Sequence, residues 1–181
     1  YYIENKYPAP ERTATYVDKN ILIGDLINKL NDNKRCVFVC GSRTFAEFAL
    51  EHIKRDTKDK KILFYNCYNR LPLKTDVKKE WKNVDLLIYT PSITCGISYS
   101  PDPKTEKDAL FDNLYIYAVN TRSAHFRDII QASRRCRHFN SNHILICLNT
   151  KFKITETIAP THPDIIKYRN QGNYDALHNI I

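Results

Sequence analysis

The sequence predicts a three-layer α/β domain with a mostly parallel central sheet. Two observations carry this: short apolar runs alternate along the chain with helical patterns, and the runs are continuously apolar, as in strands covered on both faces. A third, the length of 181 residues at 43% apolar composition, allows one sizeable core.

The predicted strands are Cys36-Val37-Phe38-Val39-Cys40, Ile62-Leu63-Phe64-Tyr65, Val84-Asp85-Leu86-Leu87-Ile88-Tyr89, Leu114-Tyr115-Ile116-Tyr117-Ala118 and His143-Ile144-Leu145-Ile146-Cys147. A helix is expected near residues 18–31, burying Val17, Ile21, Leu26, Ile27 and Leu30. A second, near 44–55, places Phe45, Phe48, Ala49, His52 and Ile53 on one stripe, with Thr44 and Glu47 at capping-box spacing. A shorter one near 75–82 sets Val77 and Trp81 one turn apart. The stretch from Tyr99 to Lys107 reads as a surface loop, and 164–169 and 174–181 as short helices in a tail.

Composition narrows the function classes. No apolar run is long enough to span a bilayer, and no charged-then-apolar leader opens the chain, so no membrane partner is expected. Twenty-eight basic against twenty acidic residues give +8, which favours polyanionic partners such as nucleic acid or nucleotide phosphate. Six cysteines form no C-x-x-C pair and three, Cys36, Cys40 and Cys147, lie in predicted strands, so we expect reduced packing residues in an intracellular compartment and no metal site. Methionine is absent, even at position 1, which predicts a piece of a longer chain.

Three segments follow strand ends, where open α/β sheets bind ligands. In Cys40-Gly41-Ser42-Arg43-Thr44, hydroxyls and an arginine precede a helix, an arrangement that suits phosphate and equally a plain N-cap. In Thr90-Pro91-Ser92-Ile93-Thr94-Cys95-Gly96-Ile97-Ser98, Thr90 is a good N-cap and Gly96 a good terminator for a one- or two-turn helix. The third, His125 to His138, is expected to be a helix burying Phe126, Ile129, Ile130 and Ser133, with Arg127, Gln131, Arg134, Arg135 and His138 opposite. Residues 122–138 hold five arginines and one acid, a composition suited to gripping phosphoryl oxygens.

In this order the segments resemble motifs IV, V and VI in the second RecA-like domain of superfamily 2 helicases. Thr90 and Gly96 match the T-x-x-x-x-x-G spacing, and Gln131-Ala132-Ser133-Arg134-Arg135-Cys136-Arg137 is similar to Q-x-x-G-R-x-R. With Phe111-Asp112-Asn113-Leu114-Tyr115-Ile116-Tyr117-Ala118 between them, they resemble herpesvirus-type replication origin-binding helicases and related helicases of large DNA viruses over residues 35–148. Arg134 stands where the family usually has glycine, and Ser98 where it often has an acid.

The resemblance implies a RecA-like domain over 35–150, preceded by a connection and helix at 1–34 and followed by an extension at 151–181. It implies an ATP-dependent DNA helicase, with ATP and magnesium held mainly by a first RecA-like domain. This chain has no G-x-x-x-x-G-K-[ST] loop and no D-E pair, so alone it is expected to be inactive. Arg135, Arg137 and Gln131 are the implied catalytic set, with Gly96 and Ser98 near the nucleotide. Ser42, Arg43, Thr90 and Thr94 are the implied DNA-phosphate contacts, and other replication proteins are implied partners. The rival is a non-catalytic nucleic-acid-binding or protein-docking module that keeps the same fold.

Overall fold

The computed structural model describes residues 12–72, 74–92, 97–119 and 126–149. The chain divides into units 1–149 and 150–181, and every described residue lies in the first. The expected short helices of the tail, at 164–169 and 174–181, lie outside the described residues.

Six parallel strands form one sheet: β1 (Thr13–Tyr16), β2 (Cys36–Cys40), β3 (Ile62–Tyr65), β4 (Leu86–Tyr89), β5 (Asn113–Val119) and β6 (His143–Asn149), in the order β1-β6-β5-β2-β4-β3. Among the described residues four α-helices accompany them: α1 (Lys19–Asn31), α2 (Arg43–Asp56), α3 (Val77–Trp81) and α4 (Phe126–Ser133). This is the predicted three-layer α/β architecture. Five strands stand where the apolar runs placed them, although β4 begins two residues later than its run. The sixth, β1, had no signal: Thr13–Tyr16 is exposed throughout and has no continuous apolar run. It joins the edge beside β6, with Ala14 opposite Ile144.

Alternate residues of the inner strands β2, β4 and β5 feed two separate cores. Val37, Val39, Leu87, Tyr89, Leu114 and Ile116 face Trp81 of α3 and Ile129 and Ala132 of α4. Cys36, Phe38, Leu86, Ile88, Tyr115 and Tyr117 face Leu22, Leu26 and Leu30 of α1 and Ala46, Ala49 and Ile53 of α2. Both faces are therefore dry, which is why the strands read as unbroken apolar runs.

The caps and stripes differ in detail from expectation. Ser42, not Thr44, caps α2: its Oγ accepts from the Phe45 amide at 3.3 Å, and Glu47 pairs with Arg43 instead of closing a box. Phe48 is 52% exposed and Ile21 54%, because the buried stripes run through Ala46-Ala49-Ile53 and Leu22-Leu26-Leu30. Asp18 caps α1, accepting from the amides of Asn20 and Ile21 at 2.7 and 2.9 Å. Residues 99–107 are only partly a surface loop. Tyr99 is buried, bridges Cys136 in parallel and donates its phenol to the Ala109 carbonyl at 2.6 Å.

At the amino edge of the sheet Arg35 clamps two segments, residues 81–84 and 108–110. Its guanidinium donates to the carbonyls of Val84 (2.9 Å), Trp81 (2.7 Å), Asp108 (3.0 Å) and Leu110 (3.1 Å), and lies 4.6 Å from the Phe111 ring centroid. The carboxyl edge is thereby left to the loops that carry the candidate site.

Candidate nucleic-acid and nucleotide interface

Parallel pairing puts the ends of β2, β4 and β3 side by side: Val39 registers with Tyr89, and Tyr89 with Tyr65. Ser42 and Arg43 thus follow a strand end adjacent to the one that Thr90 follows, and the Thr90 amide donates to the Tyr65 carbonyl at 3.1 Å. Gly41 is required at the turn because a Cβ there would lie 2.6 Å from Ile129 Cδ1 and 3.2 Å from the Val119 nitrogen. Thr90 is buried and its hydroxyl meets that of Ser92 at 2.8 Å. Pro91 and Ser92 form a turn, while the expected helix terminator Gly96, and Thr94, lie outside the described residues.

Arg43 is held on two sides. Its Nη1 lies 3.1 Å from Glu47 Oε1, and its guanidinium lies 4.8 Å from the ring centroid of Tyr68, in the loop after β3. Sequence reasoning missed Tyr68; the only available signal was an aromatic residue two positions before Arg70 in a short loop following a strand end.

The arginine segment is built differently from the expected long helix. α4 ends at Ser133, Arg134 and Arg135 turn, and Cys136 enters the bridge with Tyr99. Phe126, expected inside, is 47% exposed; Ile129, Ala132 and Ser133 are the buried positions. The Tyr99 amide donates to the Arg135 carbonyl at 2.7 Å and the Arg137 amide to the Tyr99 carbonyl at 3.0 Å. Arg135 is half-buried with Nη1 on the Ile97 carbonyl at 3.4 Å, whereas Gln131, Arg134 and Arg137 are exposed. Arg135 therefore projects from the turn that ends α4 and Arg137 from the segment after the Cys136 bridge, neither from a helix face, and Ser98 lies between two residues that bond Arg135.

Two further contacts fix this joint. The buried Tyr89 phenol donates to the Ala132 carbonyl at 2.9 Å, tying the end of β4 to the last turn of α4, and burial pushes its pKa well above the usual tyrosine value. Arg12 Nη2 donates to the Arg137 carbonyl at 2.8 Å with its guanidinium 5.5 Å from the Phe139 centroid. Burial, and then the nearby Arg134 charge, lower the Arg12 pKa.

The donor set fits a nucleotide triphosphate in its chemistry. Arg134 and Arg137 offer exposed guanidiniums, and among the described residues no ion pair engages Arg134, Arg135 or Arg137. Ser98 Oγ and Arg135 Nε are both buried with no hydrogen-bond partner, which leaves unused donor capacity at the joint. No group of three His, Cys, Asp or Glu side chains suited to a metal ion is gathered among the described residues. The described thiols are free, and Cys36, Cys40, Cys136 and Cys147 are buried. Burial is the main cause that raises the pKa of each of these four, Cys40 to about 12, so they pack and do not react.

A doubly covered parallel sheet whose carboxyl-end loops carry hydroxyl and guanidinium side chains defines the class: an open α/β domain with a mostly parallel sheet. More particularly, the chain belongs to the origin of replication binding protein family, whose model matches residues 4–164. It is 29% identical over 153 residues to a protein of African swine fever virus (isolate Pig/Kenya/KEN-50/1950) named for a helicase/primase complex, covering 81% of this chain and 14% of that one. It is 31% identical over 136 residues to the replication origin-binding protein of human herpesvirus 7 (strain JI), covering 75% of this chain and 16% of that one. The chain thus spans about a seventh of the length of these relatives. Similar solved structures include the C-terminal part of the Fun30 ATPase domain (16% identity, TM-score 0.42, 86% of this chain and 52% of that one). Another is the DUF1998 helicase MrfA (16% identity, TM-score 0.43, 89% and 26%).

Proposed function

We propose that this chain is the second RecA-like domain of an ATP-dependent DNA helicase acting in viral DNA replication. The RecA-like core would run over 35–150, with 1–34 leading into it and 151–181 as an extension. The observation that carries the reading is the joint between the two candidate motifs. Ile97 to Tyr99 and Arg135 to Arg137 are bonded to each other, so Ser98, Arg135 and Arg137 sit together next to exposed Arg134 and Gln131. Family membership supports the same reading, because the relatives are named for origin binding and a helicase/primase complex.

In this reading ATP and magnesium are bound mainly by a first RecA-like domain in the same protein. Arg137 and Arg135 approach the γ-phosphoryl group, where charge is redistributed as the bond to the leaving oxygen breaks. Gln131 orients the arginines or the nucleotide, and Gly96 and Ser98 lie towards the nucleotide. Ser42, Arg43, Thr90 and Thr94 hold the phosphates of one DNA strand, a mode of binding with little base preference. Closure of the cleft on ATP and its opening after hydrolysis would move one gripping surface relative to the other. Replication proteins would be its partners, inside the host cell where viral DNA is copied. Among the described residues no helix is long and apolar enough to cross a membrane.

The test uses the intact protein. It should hydrolyse ATP faster with single-stranded DNA than without, and Arg43→Ala with Thr90→Val should weaken strand binding and flatten its salt dependence, by roughly 0.7 in log–log slope for each phosphate no longer neutralised. Strand binding with no ATP hydrolysis under any condition would make the domain a binding or docking module instead.

A further inference from the structure

The loop after β3 carries a feature that the phosphate-gripping role does not use. Tyr68 is 79% exposed, the most exposed large hydrophobic side chain among the described residues. A side chain so placed is normally free to sweep through solvent, but here both its backbone and its ring are held. The buried Asn66 accepts from the amides of Tyr68 and Asn69 at 2.8 Å each, and its own amide donates to the Asn69 carbonyl at 3.0 Å. Asn69 Nδ2 reaches back to the Phe64 carbonyl at 2.6 Å, which closes the loop onto the strand end. One ring face is covered by the Arg43 guanidinium at 4.8 Å, itself braced by Glu47.

The geometry points to Tyr68 as a stacking platform for one base of a single DNA strand, with Arg43 backing the covered face and the base occupying the open one. This rests on the strand-binding reading above and adds to it a residue that touches bases and not phosphates. Three features favour a nucleic-acid base over an apolar protein segment. Arg43 lies over the ring and the exposed Arg70 adds a second positive charge to the same loop, Ser42 and Thr90 follow neighbouring strand ends, and the loop is closed by its own hydrogen bonds. Every base has a π-face, so such a platform tolerates any sequence, and a guanidinium on the far side adds cation–π attraction.

The experiment is equilibrium binding of a fluorescent oligothymidylate to the intact protein over a range of salt, for wild type, Tyr68→Ala, Tyr68→Leu, Tyr68→Phe and Tyr68→Trp. Tyr68→Ala and Tyr68→Leu should each bind roughly 5- to 150-fold more weakly, while the two aromatic replacements stay close to wild type. The log–log salt slopes should run parallel, since stacking releases no counterions. On an all-abasic strand, which keeps its phosphates, wild type and Tyr68→Ala should bind alike. The leucine and aromatic variants separate lost stacking from lost folding. If Tyr68→Ala matches a salt-sensitive wild type on oligothymidylate, the platform is wrong and the strand-binding reading stands. If wild type binds no single strand, both fall. A loss for Tyr68→Ala that is equal on the abasic strand also overturns stacking.

Discussion

Residues of one type play opposite parts in this chain, and their surroundings decide which. Arg35 was not singled out by the sequence, yet it donates to four backbone carbonyls and faces Phe111. Removing it strands the three part-buried acceptors, the carbonyls of Trp81, Val84 and Leu110, so Arg35→Ala should cost upwards of about 3 kcal/mol, at ~1–3 kcal/mol for each buried group left unpaired. A urea titration checks this, and a loss below about 1 kcal/mol would show that the clamp is not structural. Arg135 lies between the two extremes: its Nη1 holds the Ile97 carbonyl, so Arg135→Ala should lower stability modestly, by about 1 kcal/mol. Exposed Arg137 should cost nothing measurable in the same titration. The thiols divide just as sharply. With Cys95 replaced by serine, one equivalent of maleimide should label the native protein quickly, at exposed Cys67, since burial holds the other described thiols protonated. Rapid labelling of Cys40 or Cys136 would contradict their burial.

At the scale of elements, the sequence is legible wherever a strand is covered on both faces. The five continuous apolar runs became β2 to β6, and Asp18 and Asp76 cap α1 and α3. β1 was invisible because an exposed edge strand buries nothing from which periodicity could be read. The end of α4 was invisible for another reason. No glycine or proline marks Arg134, and what stops the helix is pairing of Cys136 with Tyr99, thirty-seven positions earlier in the chain. A contact so distant has no local signature, and it changes the site by presenting Arg135 from a turn and Arg137 from the segment beyond it, instead of from a helix. Tyr68 was missed because nothing in a loop sequence announces that its ring is backed by Arg43 of another element. The joint between α2 and its sheet offers a direct check: Gly41→Ala must displace Ile129 and crowd Val119, costing roughly 1–3 kcal/mol, whereas Ser42→Ala should cost about 1 kcal/mol through the missing cap. Thermal melts of the two variants distinguish them; an unperturbed Gly41→Ala would mean that α4 is free to move away.

For the whole molecule, the two dry faces of the sheet carry a pH signature. Burial is the first cause that raises the phenol pKa of Tyr65, Tyr89 and Tyr115, with hydrogen bonds to Glu80 and Asp25 raising Tyr65 and Tyr115 further. A folded-state value above the unfolded one, ~10, means that the neutral phenol is favoured in the fold. Stability is then fully present below about pH 10 and falls as pH rises towards the folded values, by up to ~1.4 kcal/mol per pH unit for each such tyrosine. Urea midpoints at pH 8 to 11 should show the fall, and Tyr115→Phe should lessen its slope; a flat profile would contradict burial of these phenols. The larger claim is that the joint of residues 97–99 with 135–137 completes an ATP site shared with another domain of the same protein. It is tested most directly by the steady-state ATP turnover of Arg137→Ala in the intact protein at saturating single-stranded DNA. We predict a fall of about a hundredfold or more with folding stability unchanged, because the guanidinium is exposed and, on the proposed function, acts on the γ-phosphoryl charge. Turnover at the wild-type rate would contradict the account.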